Sequence, residues 1–106
     1  MHVLFVCSRN RRRSPTAERL FHDPPTVLAL SAGTAPDAEA RVSLDLIEWA
    51  DLVVCMEARH ARALTRQFGS HLAGTRTVTL GIPDDYAPDD PALVALLRQR
   101  MSGLLP

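Results

Sequence analysis

A cysteine followed six residues later by an arginine and then a serine is an arrangement suited to attack on phosphorus. Cys7, Arg13 and Ser14 stand at that spacing in the stretch Cys7-Ser8-Arg9-Asn10-Arg11-Arg12-Arg13-Ser14. The thiolate is the nucleophilic form of cysteine, and a helix N-terminus with nearby cations favours it. Arg13 supplies a planar fork able to make two hydrogen bonds to a phosphoryl group and to stabilise charge spreading over its oxygens. Arg9, Arg11 and Arg12 make a basic rim whose field draws in phosphorylated substrates. Asn10 is suited to a left-handed backbone, and Ser14 is placed to brace the loop and donate to the sulfur. Expelling an alkoxide or phenoxide also needs a proton donor. Four aspartates are available in one stretch: Asp84, Asp85, Asp89 and Asp90. Asp90 reads as a helix cap and Asp89 as solvated, which leaves Asp84 and Asp85 as alternatives.

The flanking residues say how such a loop would be held. Val3-Leu4-Phe5-Val6 is a continuous apolar run, as in a strand buried on both faces. Ser14 followed by Pro15 reads as the N-cap and first turn of a helix reaching about His22. The eight residues from Cys7 to Ser14 then join a strand end to a helix start, where backbone N–H groups and the helix dipole favour an anion. Further strands are expected at Thr26–Leu30, Asp51–Met56 and Arg76–Leu80. Further helices are expected at Leu44–Trp49 after a Ser43 cap, at Glu57–Phe68 before Gly69, and from Pro91 to about Ser102 after an Asp90 cap. Ala35–Val42 reads as a surface loop.

Four strands alternating with four helices predict an α/β fold: three layers, with a four-stranded parallel sheet and helices on both faces. Ligands bind at the carboxyl ends of strands in such sheets. The cysteine loop, Ser31-Ala32-Gly33-Thr34, the start of the Glu57 helix and the loop 81–90 should therefore gather at one edge.

At 106 residues the chain reads as one domain, residues 1–106, with ordinary globular composition of 46% hydrophobic and 23% charged residues. Formal net charge is zero, so no global charge points to nucleic acid or an anionic membrane. No run of 18 apolar residues could span a bilayer. The two cysteines, Cys7 and Cys55, make no disulfide framework, and Cys55 reads as a small core residue in Leu52-Val53-Val54-Cys55-Met56. A cytoplasmic setting is expected. No Cys or His pair has metal-ligand spacing, so no metal is expected. The four histidines lie on different elements and carry no assigned chemistry.

Taken together, Val3-Leu4-Phe5-Val6-Cys7…Asn10…Arg13-Ser14-Pro15…Ala17-Glu18 resembles the start of the low-molecular-weight protein tyrosine phosphatases. Ser31-Ala32-Gly33-Thr34, Asp51-Leu52-Val53-Val54-Cys55-Met56-Glu57 and Ile82-Pro83-Asp84-Asp85-Tyr86 resemble that family's later motifs in the same order. The resemblance implies a phosphotyrosine-phosphatase fold, a phosphocysteine intermediate on Cys7, and phosphate held by Arg13 and by the backbone of Ser8, Arg9, Asn10, Arg11, Arg12 and Ser14. It implies loop support from Asn10, Ser14 and Ser31, Asp84 as the general acid, and no cofactor. Substrates would be phosphorylated proteins, chiefly at tyrosine, or small phosphoesters. The family's Asp-Pro is Asp84-Asp85 here, and Arg12 stands where many members have a second cysteine. The region between Thr34 and Asp51 is short, without the usual aromatic wall. Tyr86 is the aromatic residue left to serve as one, since Trp49 reads as core.

Two other readings share these motifs. An arsenate reductase of the same fold would need further cysteines to relay a disulfide, and Cys55 is poorly placed for that. A non-catalytic phosphate- or RNA-binding module would need neither Cys7 nor an acid opposite it.

Overall fold

Val3 to Val6 form the middle of strand β1, His2–Cys7, whose residues are almost all buried. The computed structural model describes residues 1–106. In chain order follow α1 (Arg13–Phe21), β2 (Leu28–Gly33), α2 (Leu44–Trp49), β3 (Leu52–Cys55), α3 (Ala58–Phe68), a 3-10 turn at Gly69–Leu72, β4 (Arg76–Thr79) and α4 (Pro91–Arg100). The four strands form one parallel sheet in the order β2-β1-β3-β4. This is the expected α/β architecture.

Alternate residues of β1 point to opposite faces, as in any strand. Val3, Phe5 and Cys7 join Ala17 of α1 and Leu93 and Leu97 of α4 in one apolar cluster. Leu4 and Val6 join Ile47 of α2 and Leu64 of α3 in the other. Helices thus cover both faces, and β1 has neighbours on both sides. The strand that carries Cys7 is the best anchored in the molecule.

Most element ends shift by a residue or two from the expectation, and three differences matter for the site or add structure. β2 is displaced toward its C-terminus, to Leu28–Gly33, because β1 pairs along its whole length and takes Ser31, Ala32 and Gly33 as partners of Phe5, Val6 and Cys7. α1 begins at Arg13, with Arg12 at the cap position and no side-chain cap. Ser14 is therefore inside the first turn rather than its N-cap, and its hydroxyl is engaged elsewhere. The chain after α3 adds the turn Gly69–Leu72. Ser43 does cap α2 by accepting from the Leu46 N–H, and Asp90 caps α4 by accepting from the Ala92 N–H.

Gly33 holds the sheet edge against the cysteine loop. A Cβ there would lie 2.4 Å from the Ser8 carbonyl oxygen and 2.7 Å from Ala38 Cβ. The backbone of residue 8 would have to move. Gly33→Ala is expected to cost about 1–3 kcal/mol, the usual range for forced overpacking, read as a lower urea midpoint.

Candidate active site

The loop after β1 leaves Cys7 at the strand end and returns into α1 through Asn10. Asn10 takes a left-handed backbone with φ 58°, a conformation that asparagine tolerates better than most residues. Its backbone N–H points at Cys7 Sγ, 3.3 Å away. Its side-chain amide donates to Ser14 Oγ at 3.0 Å, and Ser14 Oγ lies 2.8 Å from Cys7 Sγ. Since Ser14 Oγ already accepts from Asn10, its own hydrogen is free for the sulfur. Cys7 therefore faces two donors, the arrangement a thiolate accepts.

Arg13 is 2% exposed although it carries a full charge, and such a group is buried only when paired. Its Nη1 donates to Glu57 Oε1, at the start of α3, and to the Ile82 carbonyl at 2.8 Å. One guanidinium thus ties the cysteine loop to the ends of β3 and β4. Glu57 also accepts from Arg59 at 3.0 Å. Its carboxyl is held down to about 2, first by the Arg59 hydrogen bond and then by Arg13. It stays ionised and keeps Arg13 oriented. The sequence pattern alone did not show the roles of Glu57 and Arg59. The signal was the position of Glu57, at the C-terminal end of a parallel strand.

These residues surround an open cavity of about 290 Å³. Cys7 and Ser8 line its floor, and Arg9, Arg11, Arg12, Arg13 and Arg59 surround them. Asp84 is the one carboxylate on the wall. Asp84 Oδ1 lies 3.7 Å from Arg13 Nε and 4.0 Å from Arg12 Nη1. Asp85 is exposed and does not reach the cavity lining. Asp89 is exposed, as read, and is also a staple: Arg19 Nη2 donates to both of its carboxylate oxygens at 2.9 and 3.0 Å. Its N–H donates to Thr16 Oγ1 at 3.0 Å, which ties the acidic loop to α1.

Two expected site residues are placed elsewhere. Ser31 Oγ donates to Glu18 Oε1 at 2.7 Å. It braces α1 against β2 and does not contact the loop, because the extension of β2 puts it inside a strand. Tyr86 packs half-buried against the apolar cluster under α4 and is not part of the cavity wall. No aromatic side chain lines the cavity. Trp49 stacks on His2 with ring centroids 4.4 Å apart.

His60, unassigned from sequence, is 1% exposed and lies beneath the loop. Its Nδ1 accepts the Glu57 N–H at 3.0 Å, and its Nε2 is 2.9 Å from Ser8 Oγ. The Glu-x-x-His spacing of a helix cap was visible in the sequence, since Glu57 and His60 form a capping box. Burial pushes the His60 pKa down to about 4, with Arg13 and Arg59 adding to the effect and Glu57 and Asp84 opposing it. Below its ordinary value of 6.5, the unfolded chain takes up a proton that the folded protein refuses until about pH 4. The stability that neutral His60 contributes is present above 6.5 and is lost as pH falls toward 4. The unfolding free energy from urea titrations should drop across that window, by at most about 1.4 kcal/mol per pH unit from this group. His60→Asn should flatten the profile there.

Cys55 is fully buried in β3, and burial pushes its thiol up to about 12. It packs in the cluster on the opposite sheet face from Cys7. A disulfide relay between the two thiols has no path. No group of three or more His, Cys, Asp or Glu side chains is arranged to hold a metal ion. No helix is long and apolar enough to cross a membrane.

No protein-family model and no curated protein sequence matches the chain. Solved structures do. YwlE from Bacillus subtilis, in a mutant form, is 25% identical, with 98% of each chain covered and a TM-score of 0.74. A second YwlE structure, described as an arginine phosphatase mutant with a phosphorylated active-site serine, is 26% identical. It covers 93% of this chain and 92% of its own, with a TM-score of 0.72. The low-molecular-weight protein tyrosine phosphatase of Streptococcus pyogenes shares the fold at 17% identity and a TM-score of 0.79, covering 99% of this chain and 93% of its own.

Proposed function

We propose that this chain is a cysteine-based phosphomonoester hydrolase of the low-molecular-weight protein tyrosine phosphatase kind, a reading its likeness to solved phosphatases supports, and that it runs a two-step reaction on Cys7. The thiolate attacks phosphorus in line with the ester oxygen, an S–P bond forms and the P–O bond breaks. Asp84 gives its proton to the departing oxygen. Water then attacks the phosphocysteine, Asp84 takes the water's proton, and the S–P bond breaks to release phosphate and restore the thiolate. Arg13 and the loop N–H groups of residues 8–14 hold the three equatorial oxygens and absorb their charge in both transition states. The observation that carries this reading is one shared cavity. It brings together Cys7 with two hydrogen-bond donors on its sulfur, a buried and oriented Arg13, and Asp84 as the wall's carboxylate.

The family likeness makes phosphotyrosine on proteins the first substrate to consider, with small phosphoesters beside it. One observation favours a second reading, phosphoarginine: no aromatic wall exists for a tyrosine ring, and a structure that this chain resembles is described as an arginine phosphatase. The chemistry would be the same, with a P–N bond broken in place of P–O. Rates on a phosphotyrosine peptide and a phosphoarginine peptide, each set against para-nitrophenyl phosphate, separate the two. Failure of all three substrates to react with folded, reduced protein would contradict the phosphatase reading itself.

The acid assignment has its own test. Asp84→Ala is expected to lower kcat on phenyl phosphate by about 10²–10⁴, the usual worth of a general acid. The loss should be smaller on para-nitrophenyl phosphate, whose leaving group needs less help. Asp85→Ala should change little on either. Equal losses from the two variants would remove Asp84 from the role.

A further inference from the structure

We propose that the Ser8 side chain is an additional phosphate ligand, and that His60 is the positioning residue that aims it. The inference rests on the phosphate-binding reading of the loop, and adds to it a side-chain donor beyond the backbone N–H groups and Arg13.

The hydrogen-bond inventory around the ring leaves one assignment. The Glu57 backbone N–H can only donate, and it points at His60 Nδ1 from 3.0 Å. Nδ1 must therefore be the unprotonated nitrogen, and Nε2 carries the hydrogen. Nε2–H then donates to Ser8 Oγ at 2.9 Å, so Ser8 Oγ is an acceptor in that bond. A hydroxyl has one hydrogen of its own, and the hydrogen of Ser8 has no acceptor in the protein. Ser8 stands in the cavity lining next to Cys7, where the incoming ligand is made of acceptor oxygens.

The neighbouring groups keep the relay in this state. His60 is 1% exposed and set in the first turn of α3, so its ring cannot rotate freely. Arg13 and Arg59 oppose its protonation, and Glu57 and Asp84 only partly offset them. A protonated ring would point a second N–H at the Glu57 N–H and break the cap. The neutral ring is thus built into the helix start, and the helix start fixes the direction of the Ser8 hydroxyl. The relay runs from the backbone of residue 57 through His60 to Ser8.

The test is calorimetric binding of inorganic phosphate and vanadate, which needs no turnover. A failure of the phosphatase reading would appear separately, as no hydrolysis of para-nitrophenyl phosphate by wild type. Losing one hydrogen bond to a charged ligand corresponds to a roughly 10-fold or greater loss of affinity. Ser8→Ala should show that loss, and Ser8→Thr, which keeps the hydroxyl, should recover most of it. His60→Phe should weaken binding in wild type and add nothing in the Ser8→Ala background. Binding by Ser8→Ala within twofold of wild type would overturn the proposal. Equal and additive losses in the double variant would overturn the role of His60. Should His60→Phe fail to fold, the Nε2–H resonance of His60 decides the second point: it should shift on phosphate binding in wild type and stay fixed in Ser8→Ala. An unmoved resonance in both would contradict the relay.

Discussion

Cys7→Ser is expected to abolish turnover of para-nitrophenyl phosphate, with kcat down by about 10⁴ or more, the scale seen when a covalent nucleophile is removed. Serine fits the site. It is smaller than cysteine, and the Ser14 hydroxyl and Asn10 N–H that meet the sulfur at 2.8 and 3.3 Å remain to meet an oxygen. The fold should therefore be unchanged, and the thermal midpoint should show it. Phosphate binding should survive and even tighten. The hydroxyl of serine is neutral, so the repulsion between a thiolate and the phosphate dianion is gone while Arg13 and the loop N–H groups are intact. Loss of turnover with retained binding separates a nucleophile from a residue that merely shapes the loop. Residual activity within tenfold of wild type would assign the attack to water or to another side chain.

The second large effect belongs to Arg13. Arg13→Lys keeps the charge and removes the fork. Its kcat should fall by about 10³, toward the lower end of what a transition-state arginine contributes to phosphoryl transfer. The geometry gives two reasons. A lysine ammonium cannot hold two equatorial oxygens in one plane. Nor can it be expected to satisfy both Glu57 Oε1 and the Ile82 carbonyl, which now share Arg13 Nη1. The Ile82 contact leads directly into the loop that carries Asp84, so the acid and the phosphate clamp share one anchor. Arg13→Ala is a poorer probe. It would leave the buried Ile82 carbonyl without its partner and Glu57 with only Arg59, at a cost of about 1–3 kcal/mol, and so mix a folding defect with a catalytic one. Steady-state kinetics of Arg13→Lys alongside its urea midpoint keep the two apart. A variant with near wild-type kcat would show that Arg13 is only a structural tie.

Much of this arrangement was legible in the residues because short-range rules govern it. The apolar run before Cys7, the caps at Ser43 and Asp90, and the stop at Gly69 are local signals, and the strands and helices follow them. The left-handed Asn10 was legible because few other residues fit there. What was missed depends on register and on tertiary contact. Ser31 reads the same whether it ends a strand or follows one, and only the full-length pairing of β1 with β2 turns it toward Glu18. Ser14 looks like an N-cap by type and by its place before Pro15. The sulfur and Asn10 claim its hydroxyl instead, and α1 starts two residues earlier, at Arg13. Tyr86 lies beside the acidic loop in sequence, but burial against the apolar cluster is the stronger pull on its ring. His60 carried a visible spacing from Glu57, yet nothing local shows that Ser8, 52 residues earlier, lies against its other nitrogen. Asp84 and Asp85 are adjacent and chemically identical. The fold separates them by bringing one beside Arg13 and leaving the other in solvent.

The central claim is a covalent bond between Cys7 and phosphorus, and the most direct measurement is to catch it. Asp84→Ala protein should be mixed with para-nitrophenyl phosphate, quenched in acid within the first turnover, and digested for mass spectrometry. Without Asp84 to activate water, breakdown is slowed more than formation from this good leaving group, so the intermediate accumulates. One phosphorylated peptide is expected, the one containing Cys7, with phosphorus on sulfur and none in a Cys7→Ala control. Phosphate released with no phosphorylated peptide at any time, or phosphorus found on a different residue, would contradict it.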